Sequence, residues 1–273
     1  YGFAKLLAFF RARQLDGVEV VGGDSYTRAV RMEGAAADGG DIVGWIRVTD
    51  EPAKGRLAVR MSETLLPVAS QVAARVRRQF DTDCDPDAVH EGIRSLDGLV
   101  PGAAVPGTRV PGAFDPFEIA VRAVLGQQIS VQAANKLAAR IAAAYGTPVD
   151  FEGGGCGEVD GSGPCSASGG RGEPDADGGA PSGLRFLFPT ARDFLALDPI
   201  EDALGELGVI KTRSRTIQEL ARLAVEGGLD LGPGADVAHQ METLLAVRGI
   251  GPWSANYIAM RALGYTDAFL EKD

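Results

Sequence analysis

The hydrophobic period of this chain changes once, near residue 115, and that change restricts it to two different kinds of structure in series. Before it, Tyr26–Met32, Ile42–Val48 and Arg56–Met61 alternate apolar with polar residues, and Val18–Val21 is a further short β-type run. A period of two belongs to a half-buried antiparallel sheet. Gly22-Gly23, Gly39-Gly40 and Lys54-Gly55 punctuate these runs as turns do. Phe3–Arg13 and Leu65–Phe80 have helical spacing, the second able to cover one face of such a sheet.

From Asp115 onward the period is 3.6. Asp115 can cap a helix whose first position suits Pro116, with Phe117, Ala120, Val121, Val124 and Leu125 on one face. Further helices are expected over Val131–Tyr145, Thr190–Ala196, Pro199–Leu207, Lys211–Val225 and Val237–Ala246. The expected fold class is an α+β N-terminal domain (antiparallel sheet with helices) over 1–110, followed by an all-α domain over 111–273.

Within the helical half, Phe151–Gly183 is almost devoid of large apolar side chains. It cannot bury enough surface to offset its ordering entropy and reads as a disordered Gly-rich insert, 151–183. It also holds six acids against Arg171 alone, which is half of the net charge of −10. That matters because an acidic chain is a poor candidate for blanket binding to nucleic acid. The remainder is only mildly acidic, so a local patch and main-chain contacts can still hold a phosphate.

No run approaches the roughly 18 apolar residues of a membrane span, and the first thirty residues lack the pattern of a signal peptide, so the cytoplasm is the expected location. The chain opens on Tyr1 and stops at Asp273, three residues after the apolar pair Phe269-Leu270, and both ends read as cut. Cys84, Cys156 and Cys165 support neither a disulfide framework nor a zinc site.

The most informative run is Leu244–Leu263, LLAVRGIGPWSANYIAMRAL. Leu244, Leu245 and Val247 end one helix, Gly249-Ile250-Gly251 makes a tight turn, and a second helix starts near Pro252 with Ala255, Ile258, Ala259 and Ala262 inward. Glycines allow close backbone approach to a phosphate, and the free N–H groups at the second helix's start favour an anion. Such contacts position a nucleic-acid backbone without reading bases and without lysines.

The hairpin GIGPWSANYIAMRALGYTDAFLEKD and the helix pair FDPFEIAVRAVLGQQISVQAANKLAARIAAAYG resemble the AlkA-type DNA-3-methyladenine glycosylase II family, of the helix-hairpin-helix DNA glycosylase superfamily. The N-terminal half is similar to that family's accessory α+β domain. The resemblance implies base-excision DNA repair: a monofunctional hydrolase that cuts the N-glycosidic bond of alkylated purines in double-stranded DNA. It implies a monomer and no organic cofactor. A monovalent cation at the backbone carbonyls of Leu245, Val247 and Ile250 is part of the same expectation.

It also places the roles. Asp273 falls at the position of the catalytic aspartate, with Asp267 a nearby competitor; a fixed carboxylate suits an oxocarbenium-like sugar or the activation of water. Trp253 stands where bifunctional relatives carry a nucleophilic lysine, so no lyase step is expected. Trp253 and Tyr257, four residues apart, would line the base pocket and attract a cationic base through their ring faces. Gln128 is at the wedge position that fills the gap left by an extruded nucleotide, where a leucine can stand in the family. Gly249, Gly251 and Ser254 would contact DNA at the hairpin, and Lys211, Arg213 and Arg215 form a basic cluster able to meet phosphates. His90 and His239 receive no role. The rival expectation is a non-catalytic helix-hairpin-helix module that binds DNA or senses damage, and a longer parent with a further domain ahead of Tyr1 is a third.

Overall fold

In the computed structural model, residues 18–19, 25–151 and 184–270 are described. The expected helix Phe3–Arg13, nearly all of the Gly-rich insert, and Asp273 lie outside them. The described residues form two compact units, one from those up to 68 with 148–151 and 184–187, the other from 69–147 and 188–270.

The first unit is the sheet. Strands β1 (Val18–Glu19), β2 (Ser25–Met32), β3 (Ile42–Glu51) and β4 (Arg56–Met61) pair antiparallel in chain order, with Arg28 opposite Ile46 and Val48 opposite Val59. Alternation is clean only in part. Ile46 and Val48 are fully buried as expected, but Trp45, next to Ile46 and on the opposite face, is buried too, and β2 buries Thr27 and Ala29 besides Tyr26, Val30 and Met32. The inner strands are covered on both faces, so a strict period of two does not hold there.

Leu65–Phe80 is not one helix. Glu63–Val68 is a 3₁₀ segment containing Pro67, and the α-helix, α1, runs Ala69–Phe80. Pro67 cannot donate to the α-ladder. The 3₁₀ segment is fastened to β3 instead: Ser62 N–H donates to the Trp45 carbonyl at 3.0 Å, and the Thr64 hydroxyl to the Val43 carbonyl at 2.8 Å. Gly44 makes this approach possible, since a Cβ there would lie 2.6 Å from Leu65 Cγ. Across the insert, Val149 N–H donates to the Arg185 carbonyl at 2.8 Å.

The second unit is helical: after α1 come α2 (Pro86–Ile93), α3 (Pro116–Leu125), α4 (Val131–Tyr145), α5 (Ala191–Leu195), α6 (Ile200–Glu206), α7 (Lys211–Glu226), α8 (Val237–Ala246) and α9 (Pro252–Ile258). Residues 69–110, expected with the sheet from their place in the sequence, group by contact with these helices. Gly112 N–H donates to the Gln79 carbonyl at 3.1 Å, and Val110 N–H to Asp81 Oδ2 at 3.0 Å, which stitches the end of α1 to the irregular run before α3.

Caps fix the helix ends where the sequence puts them. Asp115 accepts the Glu118 N–H at 3.0 Å ahead of Pro116, and Ser130 accepts Ala133 N–H at 3.2 Å. Thr190 and Asp193 form a capping box at α5. Helix α3 is buried nearly all round, including Ile119 and Ala123 off the expected face, as befits the central helix of a bundle. Glu118 and Arg122 keep a charge pair at 2.7 Å inside it. The helix after the hairpin changes character: α9 gives way to a π-helical turn over Ala259–Leu263, closed by Gly264 at φ 71°.

Candidate functional site

The hairpin is built as its sequence requires. Helix α8 ends at Ala246, Val247 N–H returns to the Leu244 carbonyl at 3.1 Å, and Ile250 N–H to the Val247 carbonyl at 3.0 Å. The two glycines do different work. Gly249 has φ 96°, and a Cβ on it would lie 2.3 Å from the Thr216 hydroxyl of α7, so only glycine fits. That hydroxyl shares its one hydrogen between the Arg248 carbonyl at 2.8 Å and the Thr212 carbonyl at 3.0 Å. Gly251 has an ordinary φ of −92°, and a Cβ there would meet nothing within 4 Å. The fold does not require that second glycine; the open space is what it provides.

Helix α9 begins there without a side-chain cap, and Pro252 takes its first position. The first-turn N–H groups are therefore left to an outside acceptor, and the helix dipole makes an anion the favoured one. For a cation, the candidate donors are the carbonyls of Leu245, Val247 and Ile250. Val247 already accepts Ile250 N–H, Arg248 and Gly249 carbonyls are taken by Thr216 and Gln127, and among the described residues Leu245 and Ile250 carbonyls receive no hydrogen bond. Unclaimed, uncharged oxygens suit a monovalent cation in kind.

The turn between α3 and α4 reaches the hairpin. Gln128 is exposed and left-handed, φ 55°, an uncommon state for a side chain of its size. Gln127, before it, donates from Nε2 to the Gly249 carbonyl at 2.8 Å and to Ser254 Oγ at 3.1 Å. Arg213 of α7 donates to the Gln127 carbonyl. Of the basic cluster, then, Arg213 is turned inward to this turn, and Arg215 pairs with Glu201 at 2.8 Å, whose carboxyl the arginine's hydrogen bond holds below its ordinary range.

Trp253 and Tyr257 are half-buried and stacked, ring centroids 5.3 Å apart and planes 8° from parallel. One turn further on, the guanidinium of Arg261 lies 5.7 Å from the Tyr257 centroid; its Nη2 donates to the Gly112 carbonyl at 3.2 Å. Arg261 is 2% exposed and was assigned nothing from the sequence, although its spacing of four from Tyr257 and eight from Trp253 marks the same helix face. Both rings border a cavity of about 110 Å³ whose wall includes Arg122, Ile129 and Asn135. Trp253 also borders a larger cavity of about 880 Å³, with Met241, Asn256, Tyr265, Asp267 and Phe269. The structure thus brings Gln128, Gly249, Gly251, Ser254, Trp253 and Tyr257 into one region of the helical unit, and Asp267 to the wall of the larger cavity.

Comparison with known proteins gives the family of this chain. Residues 121–269 match the HhH-GPD superfamily of base excision DNA repair proteins, and residues 1–115 match the AlkA N-terminal domain. The whole chain is 34% identical to DNA-3-methyladenine glycosylase 2 of Escherichia coli, covering 81% of that protein. It is 32% identical to a probable bifunctional transcriptional activator/DNA repair enzyme AlkA of Mycobacterium tuberculosis, spanning 47% of its length. Among solved structures, a 3-methyladenine DNA glycosylase from Archaeoglobus fulgidus superposes over 99% of this chain and 79% of its own, with a TM-score of 0.69 and 21% identity, a likeness of fold.

Proposed function

We propose that this chain, which belongs to the HhH-GPD superfamily of base excision DNA repair proteins, is a monofunctional DNA glycosylase that releases alkylated purines such as 3-methyladenine from double-stranded DNA. It acts as a monomer in the cytoplasm. The observation that carries the reading is the convergence of three parts on α9: an uncapped helix start beside the open Gly251, a stacked aromatic pair, and a left-handed exposed residue at the turn that abuts the hairpin.

The hairpin N–H groups near Gly251 and Ser254 hold a phosphate of the damaged strand, which fixes position without reading sequence. Gln128 enters the stack and occupies the space of the departing nucleotide. The extruded base lies on the indole of Trp253. An alkylated purine carries positive charge, so the ring's electron-rich face contributes about 0.5–2 kcal/mol of attraction. The same charge makes the base a good leaving group: the C1′–N bond breaks with both electrons going to the base, which departs neutral.

Asp273, which lies outside the described residues, is assigned the carboxylate that stabilises the resulting oxocarbenium sugar and takes a proton from the water that adds to C1′. The carbonyls of Leu245, Val247 and Ile250 would hold a monovalent cation, which when bound supplies positive charge beside the phosphate. No organic cofactor is needed for a hydrolysis of this kind.

The deciding experiment is chromatography of bases released from methylated duplex DNA. Release of free 3-methyladenine, lost in Asp273→Asn while duplex binding persists, is the expected result. Retained excision in that variant would remove Asp273 from the mechanism; binding without any release by the unaltered protein would leave a DNA-binding module.

A further inference from the structure

We infer that Gln127 is a positioning residue that fastens the wedge turn to the hairpin, so that base extrusion and backbone grip are set by one hydrogen-bonded unit. The inference rests on the glycosylase reading above. Its basis is that Gln127 is held at both ends by different elements. Its side-chain amide donates to the Gly249 carbonyl at 2.8 Å and to Ser254 Oγ at 3.1 Å, while its main-chain carbonyl accepts from Arg213 of α7.

Each anchor is itself fixed. Gly249 is seated on Thr216, whose hydroxyl also holds the Arg248 carbonyl at 2.8 Å. Ser254 is 4% exposed in the first turn of α9. Arg213 and Thr216 belong to the same helix, α7, so one rigid element supports both sides of the contact. The residue that follows, Gln128, is exposed at φ 55°. A side chain in that unfavourable conformation keeps it only if the chain on either side is held. Ser130, capping α4, holds one side; Gln127 holds the other.

The chemistry of the amide matters as much as its length. Gly249 presents a carbonyl, which only a donor can satisfy, and asparagine is one methylene shorter. A methionine keeps the length and removes the donor; a glutamate keeps the shape and sets an acceptor against an acceptor. Loss of the link leaves the hairpin's own N–H groups and the chemical step in place but frees Gln128 from the hairpin, so the main deficit falls on extrusion from a well-paired duplex. It is small where the lesion is already poorly held.

The test uses the full chain with Gln127→Met and Gln127→Glu, and two duplexes carrying 7-methylguanine beside 2-aminopurine, one with cytosine opposite the lesion and one with an abasic site opposite. We expect both variants to slow the fluorescence rise and single-turnover release on the paired duplex by about tenfold, the size of losing the two hydrogen bonds to the exposed Gly249 carbonyl and the buried Ser254. On the unpaired duplex the loss stays below about threefold, since less unstacking energy is needed. An equal loss on both duplexes, or none on either, would overturn the role of Gln127. Fluorescence reports extrusion without chemistry, so a wild-type protein that raises fluorescence but releases no base refutes the glycosylase reading, and the ratio between duplexes still judges Gln127.

Discussion

The indole of Trp253 lies parallel to the ring of Tyr257, 5.3 Å between centroids, and Tyr257 is backed one turn later by the guanidinium of Arg261 at 5.7 Å. Residues four apart on a helix share a face, so Tyr257 is in contact with both the indole and the cation. Under the proposed function the base stacks on Trp253. Trp253→Ala is expected to lower kcat/KM for base release by about 10- to 100-fold, the worth of one base–aromatic stack. Tyr257→Phe keeps the ring and loses only the weak contact of its hydroxyl with Arg261, so it should stay within about threefold. Equal losses in the two variants, read in single-turnover excision, would show that Tyr257 meets the substrate directly.

The two hairpin glycines should respond oppositely to alanine. At Gly249 the methyl group meets Thr216 Oγ1 at 2.3 Å and the left-handed φ adds strain, so Gly249→Ala should cost about 2 kcal/mol or more of stability by denaturant melt. Gly251 has an ordinary φ and open space, so Gly251→Ala should change stability by less than about 0.5 kcal/mol. Its cost should fall instead on duplex affinity, about tenfold by fluorescence anisotropy, because the methyl stands where a phosphate would approach the helix start. A Gly251→Ala protein that binds DNA normally would take the phosphate away from this hairpin.

The contrast between the glycines marks where the sequence was readable. Apolar spacing on both sides of Gly-Ile-Gly, Asp115 ahead of Pro116 and Ser130 ahead of Val131 are local signals, and each sits in the structure where its chemistry requires. The contact of Gln127 with Gly249 joins residues 122 apart and leaves no periodic trace, so a pair of glutamines reads only as a polar turn. Arg213 likewise reads as part of a basic cluster until its partner is seen. The π-helical turn at Ala259–Leu263 escapes any argument that assumes a 3.6 period, and the 3₁₀ segment at Glu63–Val68 depends on anchoring to β3 that no local pattern records. Asp273 was reached by resemblance alone.

The basic run Lys211–Arg215 should matter less for DNA than its charge suggests. Arg215 is engaged by Glu201 at 2.8 Å, and Arg215→Ala is expected to change the salt dependence of duplex binding by less than about one phosphate contact. The pair also carries a pH signature. The hydrogen bond from Arg215 lowers the Glu201 pKa in the folded state, so its contribution to stability is present above the ordinary glutamate range and is lost as pH falls through the lowered value. The difference in Tm between the wild type and Glu201→Gln, measured by thermal melts across acidic pH, should accordingly shrink toward zero on acidification; a difference that grows in acid would reverse the assignment.

Trp253 at the second position of α9 bears on what happens to the DNA after the base has gone. A lyase step requires an amine to form a Schiff base with C1′ of the opened sugar, and an indole nitrogen, whose lone pair belongs to the ring, cannot supply one. The residue is a ring stacked on Tyr257 instead, which under the proposed function receives a planar base and offers no group to attack the sugar. Methylated duplex incubated with the protein should therefore accumulate intact abasic strands that break only on later treatment with alkali. Borohydride added during turnover should trap no protein–DNA adduct on a denaturing gel. A trapped adduct would require a lysine or the chain's α-amine within reach of C1′, and would overturn the monofunctional reading while leaving base recognition by Trp253 untouched.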